Sequence, residues 1–133
     1  MIKVLVLEDS EERIVEFKKR FASKLHIDVA VVYVDNVEDF KTQMLENKPE
    51  LILLDHDLGG QVYVSSSKED TGAEAVRFIV KNFTLKDFPF PIIIHSLNGP
   101  GSDYMFDLLM ENKFHAIKAK FLWSEKVFNK FVV

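Results

Sequence analysis

Four bulky apolar residues, Leu51-Ile52-Leu53-Leu54, run directly into Asp55-His56-Asp57-Leu58-Gly59. A run with no polar alternation predicts a strand buried on both faces, as in a parallel sheet covered by helices on each side. Open α/β folds bind their ligands beyond the carboxyl ends of such strands, so Asp55 is expected at the mouth of a crevice on rigid backbone. Ile2–Leu7 is a second apolar strand and ends in Glu8 and Asp9. Pro91–Ile94 is a third and ends in His95-Ser96-Leu97-Asn98. Carboxylates, histidines and a hydroxyl on three strand tips form a candidate site.

Strands and helices alternate along the rest of the chain. After Ile2–Leu7, Ser10 can cap a helix with Ile14, Phe17 and Phe21 at helical spacing, and Glu11 and Glu12 suit its N-terminal dipole. Ile27–Val34 is valine-rich and reads as the second strand. Asn36 opens a helix with Val37, Phe40, Met44 and Leu45 inward, and the central strand is expected over Leu51–Asp55. A polar loop, Gly59 to Asp70, leads to Thr71-Gly72-Ala73-Glu74, a capping-box pattern. The stripe Val76, Ile79, Val80 and Phe83 follows it. Gly99-Pro100-Gly101 turns into a fourth helix with Met105, Leu108 and Leu109 inward. A fifth strand is expected near Phe114–Ala119, and a short last helix around Val127, Phe128 and Phe131.

Strands joined by helices of this length imply right-handed crossovers. The expected fold class is α/β, a single doubly wound five-stranded parallel sheet in order 2-1-3-4-5 over one domain, residues 1–133.

Composition narrows the function. With 133 residues and 47% hydrophobic content, the chain can bury a core. Its net charge of −4 gives no broad basic surface for duplex DNA. No cysteine is present, which removes disulfides, thiolate metal sites and a cysteine nucleophile. No apolar run approaches a membrane span, and the Met1-Ile2-Lys3 start carries no signal-peptide pattern. A cytoplasmic protein without a membrane partner is the expectation.

The acidic pair Glu8 and Asp9, the strand-ending Asp55 and the strand-ending Ser96 resemble the landmarks of receiver domains of response regulators, which have a flavodoxin-like architecture. Asp70-Thr71-Gly72 occupies the place of the receiver loop glycine. Receivers also end their fifth strand with a lysine followed by proline, whereas here Ala119 and Phe121 follow Lys118 and Lys120. Leu54-Asp55-His56-Asp57-Leu58-Gly59, with Thr71-Gly72 and His95-Ser96-Leu97-Asn98-Gly99-Pro100-Gly101, is more closely similar to the cyclic-phosphate-processing receiver domains. That resemblance implies a divalent metal, Mg²⁺ or Mn²⁺, on the acidic cluster, and a phosphate-bearing ligand such as a small molecule or an RNA end. Phosphorylation on Asp55, with signalling through a protein partner, is the other implication.

The residues admit the same chemistry. Glu8, Asp9 and Asp55 repel one another unless a cation sits among them, and a hard divalent ion prefers oxygen ligands. Capping of the first helix would need only one of these acids. His56 can act as general acid or base, with Asp57 fixing its tautomer or adding a metal ligand. His95 and Ser96 are adjacent on one strand, so they face opposite sides unless the strand end twists. Ser96, Asn98, Gly99 and Gly101 precede a helix, and the exposed amides of such a start suit a phosphate. The expected activity is that of a metal-dependent phosphoesterase, with His56, His95 and Asp57 as candidate catalytic residues.

Overall fold

The structure is a computed structural model that describes residues 2–23, 29–58, 65, 70–96 and 98–119. Its elements, in chain order, are β1 (Ile2–Leu7), α1 (Glu11–Ser23), β2 (Val29–Val34), α2 (Val37–Asn47), β3 (Leu51–Leu54), α3 (Gly72–Asn82), β4 (Ile92–Ile94), α4 (Gly99–Glu111) and β5 (Ala116–Lys118), with one 3₁₀ turn, Leu85–Asp87, before β4. All neighbouring strands pair in parallel, and the sheet order is 2-1-3-4-5. This is the doubly wound parallel sheet, in the expected order, that the alternating pattern predicts.

Strand alternation divides the core. Leu5, Leu7, Ile52, Leu54, Ile92 and Ile94 pack with Val37, Phe40 and Met44 of α2, Val76 and Ile79 of α3, and Met105 and Leu109 of α4. Val4, Val6, Leu51, Leu53 and Ile93 take the other face, with Phe17 and Phe21 of α1. Both faces of β3 are therefore covered, which explains why its four residues are apolar without alternation.

Some expectations are corrected. Leu45 is not inward; it is exposed, and α2 buries Val37, Phe40 and Met44 instead. Phe83 caps the end of α3 and packs from beyond the helix. Thr71 is the N-cap of α3 but makes no side-chain capping bond. The Glu74 carboxylate pairs with Arg77 at 2.7 Å and Lys41 at 3.3 Å, so it is engaged away from the cap. Among the described residues, no helix is long and apolar enough to cross a membrane. The expected terminal helix and most of the Gly59–Asp70 loop lie outside the described residues.

Candidate functional site

The backbone ladder continues one residue past the strands. Glu8 N–H donates to Val34 O at 2.9 Å, Asp55 N–H to Leu7 O at 3.0 Å, and His95 N–H to Leu54 O at 2.9 Å. Glu8, Asp55 and His95 thus stand in one row across β1, β3 and β4. They share the strand phase of Val6, Leu53 and Ile93, which is the face of α1. The His95 ring meets Phe17 of that helix edge-on, with centroids 5.1 Å apart. His56 and Ser96, one residue further on, take the opposite phase.

The first half of the site is acidic. Glu8, Asp9 and Asp55 each offer a carboxylate oxygen, and these atoms lie within 4.8 Å of one another. Glu8 is fully buried. Its Oε2 accepts the Asp9 and Ser10 amides at 3.0 and 3.1 Å, so Glu8 also caps the start of α1. Asp55 Oδ1 accepts the His56 amide at 2.8 Å. Burial pushes the Asp55 carboxyl up from 3.8 to about 8, aided by the charge of Glu8 and a hydrogen bond with it; Arg13 and the His56 amide pull the other way. Ionising Asp55 beside Glu8 is therefore unfavourable without a further cation, and an all-oxygen donor set of this kind fits a hard divalent cation.

Arg13 is the site residue that sequence reasoning missed. Its Nη1 lies 3.3 Å from Glu8 Oε1 and 3.5 Å from Asp55 Oδ2. A signal was present: Arg13 falls one turn inside a helix capped by Ser10, whose Oγ accepts the Arg13 amide at 3.4 Å. That turn starts at the acidic strand tip, so a cation there faces the carboxylates.

His95 also touches this half. Nδ1 approaches Glu8 Oε1 to 3.6 Å, yet burial, with the charge of Arg13, pushes the imidazole down from 6.5 to about 3. The ring is neutral near pH 7, so this contact is not an ion pair. Its Nε2 is buried with no hydrogen-bond partner.

The second half joins β3 to α4. His56 Nδ1 lies 2.9 Å from Asp57 Oδ1, and Asn98 Nδ2 reaches the same two atoms at 3.2 and 3.0 Å. Asp57 can thus hold the imidazole in one tautomer while Asn98 braces both. Two glycines make room for this packing. The Gly72 amide donates to His56 O at 2.8 Å, and a Cβ on Gly72 would fall 1.8 Å from Asp55 O. A Cβ on Gly101 would fall 2.6 Å from His56 Cγ and Cδ2.

The residues expected to bind phosphate, Ser96, Asn98, Gly99 and Gly101, lead into and begin α4. The Gly101 amide already donates to Asn98 Oδ1 at 2.9 Å, which makes Asn98 the N-cap of α4. Ser96 Oγ accepts the Asn98 amide at 3.0 Å within a buried turn. Gly101 and Asn98 therefore build the His56 pocket in this structure, and Ser96 braces the turn. Gly99 begins α4 with open space around its Cα. The Lys118 ammonium pairs with Asp103 of α4 at 2.8 Å and lies over Phe106. Lys120 and His26 lie outside the described residues, and His115 is exposed.

The chain matches the cyclic-phosphate processing receiver domain family over residues 4–111. No curated protein matches it. Among solved structures it is similar to the signal receiver domain of a protein described as a Luxo repressor from Vibrio parahaemolyticus, with a TM-score of 0.69 and 20% identity over 97% of this chain and 85% of that one. It is also similar to the Mn²⁺-bound form of response regulator Rcp1, with a TM-score of 0.60 and 18% identity over 98% and 88% of the two chains. The response regulator domain of Thermotoga maritima CheB gives 0.61 and 20% over 98% and 90%. At these identities the likeness shows the fold alone.

Proposed function

The chain belongs to the cyclic-phosphate processing receiver domains, and from that premise we propose that it binds and processes a phosphate ester, cyclic on a nucleotide or RNA end, with the help of a divalent metal. One observation carries the reading. The oxygens of Glu8, Asp9 and Asp55 lie within 4.8 Å of one another, one residue from an imidazole held by Asp57 and Asn98. Glu8, Asp9 and Asp55 would hold Mg²⁺ or Mn²⁺; Rcp1, of similar fold, has been solved with Mn²⁺ bound. Bound there, such an ion acts as a Lewis acid toward phosphate oxygens.

The protein's own residues supply the rest. Opening a cyclic phosphate requires water to add its oxygen to phosphorus, one ester P–O bond to break, and the leaving oxygen to gain a proton. His56 is the group suited to move that proton, because an imidazole can both accept and donate one and Asp57 orients it. His95 lies in the row of the acids under α1, where it supports Glu8 rather than sharing the His56 cluster.

Phosphorylation of Asp55, with output through a protein partner, is the competing reading, and the response-regulator fold supports it. The missing lysine–proline pair counts against it, because Ala119 and Phe121 follow Lys118 and Lys120 where receivers have a proline. A metal-supplemented turnover screen separates the two. Purified protein is incubated with 2′,3′-cyclic nucleotides, cyclic-ended RNA and cyclic oligonucleotides, beside acetyl-phosphate labelling. Turnover of one class is expected. Ready labelling of Asp55 with every cyclic phosphate intact would replace the enzyme reading with the switch.

A further inference from the structure

Arg13 stands where a metal ion would otherwise balance Glu8 and Asp55. Nη1 alone makes both contacts, at 3.3 and 3.5 Å. The side chain is 31% exposed while the carboxylates beneath it are almost fully buried, so the guanidinium roofs the cluster from the solvent side. A guanidinium has five donors in a planar fork suited to carboxylate and phosphate alike. Besides Arg13, His95 approaches Glu8 to 3.6 Å as a neutral ring, while Lys118 is committed to Asp103.

Resting on the function proposed above, we propose that Arg13 is an exchangeable counter-cation: it closes the acidic cluster while the metal is absent, and once metal takes Glu8 and Asp55 it turns its fork to the phosphate of the ligand. Two positive charges cannot share those carboxylates at close range without mutual repulsion. The displaced guanidinium is anchored on the first turn of α1, directly above the site, and remains within reach of any anion held there. The same side chain thus disfavours metal binding by itself and favours metal together with phosphate, which makes the two ligands mutually supportive.

The test follows backbone amide NMR shifts of the full chain through titrations with Mg²⁺ alone, and then with inorganic phosphate at saturating Mg²⁺, for wild type, Arg13→Gln and Arg13→Lys. Arg13→Gln is expected to bind Mg²⁺ about tenfold more tightly, having lost the competing charge. It should bind phosphate about tenfold more weakly, having lost a charge-assisted donor. Arg13→Lys should lie between wild type and Arg13→Gln for both ligands. If Arg13→Gln does not fold, the lysine variant decides, and values equal to wild type overturn the proposal. Unchanged or weaker Mg²⁺ binding in Arg13→Gln overturns it, as does unchanged phosphate binding. Wild-type turnover of a cyclic phosphate combined with either result sinks the role of Arg13 and leaves the proposed function standing. Arg13-dependent binding of both ligands with no turnover does the reverse.

Discussion

The imidazole of His56 rests against the backbone of Gly101, so closely that a Cβ there would lie 2.6 Å from Cγ and Cδ2 and 2.9 Å from Nδ1. The ring is fully buried and cannot retreat without leaving Asp57 and Asn98. Gly101→Ala should therefore displace the imidazole and cost about 1–3 kcal/mol of stability, as overpacking does. Chemical denaturation measures the loss, and the His56 ring resonances report the displacement. A variant with wild-type stability and unmoved resonances would show that the pocket relaxes freely.

Two buried groups set opposing pH dependences in the metal-free protein. Asp55 has a folded value of about 8 against 3.8, so the folded state keeps a proton that the unfolded chain releases. The stability linked to that proton is fully present below about pH 4 and is lost as pH rises through 8. His95 runs the other way, at about 3 folded against 6.5, so its contribution is present above 6.5 and lost as pH falls toward 3. The two slopes offset each other between about pH 4 and 6.5, and above that the decline from Asp55 stands alone. Urea denaturation in chelator should show stability falling from pH 6.5 to 8.5. A rise over that range would contradict the burial argument for Asp55.

Asp55→Asn removes a buried carboxyl that Glu8 repels while keeping an acceptor for the His56 amide. At pH 8 without metal the variant should be more stable than wild type by about 1–3 kcal/mol, although it forgoes the contact with Arg13. Millimolar Mg²⁺ should narrow that gap, because ligand bound to the folded state adds stability as RT ln(1 + [L]/Kd) and wild type is the tighter binder. Thermal melts with and without Mg²⁺ read both effects. Equal stabilisation of the two proteins by Mg²⁺ would remove Asp55 from the metal site.

His56→Gln should reduce turnover of a cyclic phosphate by ~10²–10⁴-fold while leaving Mg²⁺ affinity nearly unchanged. His95→Gln should have the smaller effect on kcat, since its ring packs on Phe17 and Glu8 rather than on the Asp57–Asn98 pair. Steady-state kinetics beside metal titrations distinguish the two. A larger kcat loss for His95→Gln would exchange their roles.

The sequence by itself determined the parallel sheet and the residues at its tips. An apolar run such as Leu51–Leu54 is stable only when covered on both faces, and the chain leaves a buried strand at its first carboxylate. Adjacent residues on a strand must diverge, so the separation of His95 from Ser96 was also legible. Only the tertiary structure decided what the tips touch. Arg13 meets Asp55 across 42 positions of sequence because β1 and β3 are neighbours in the sheet. Lys118 turns to Asp103, and the Gly101 amide serves Asn98, because α4 packs beside β5 and over His56. Strand identity follows from the periodic pattern of neighbouring residues, whereas the pairing of charges depends on distances that exist only once distant segments have packed together.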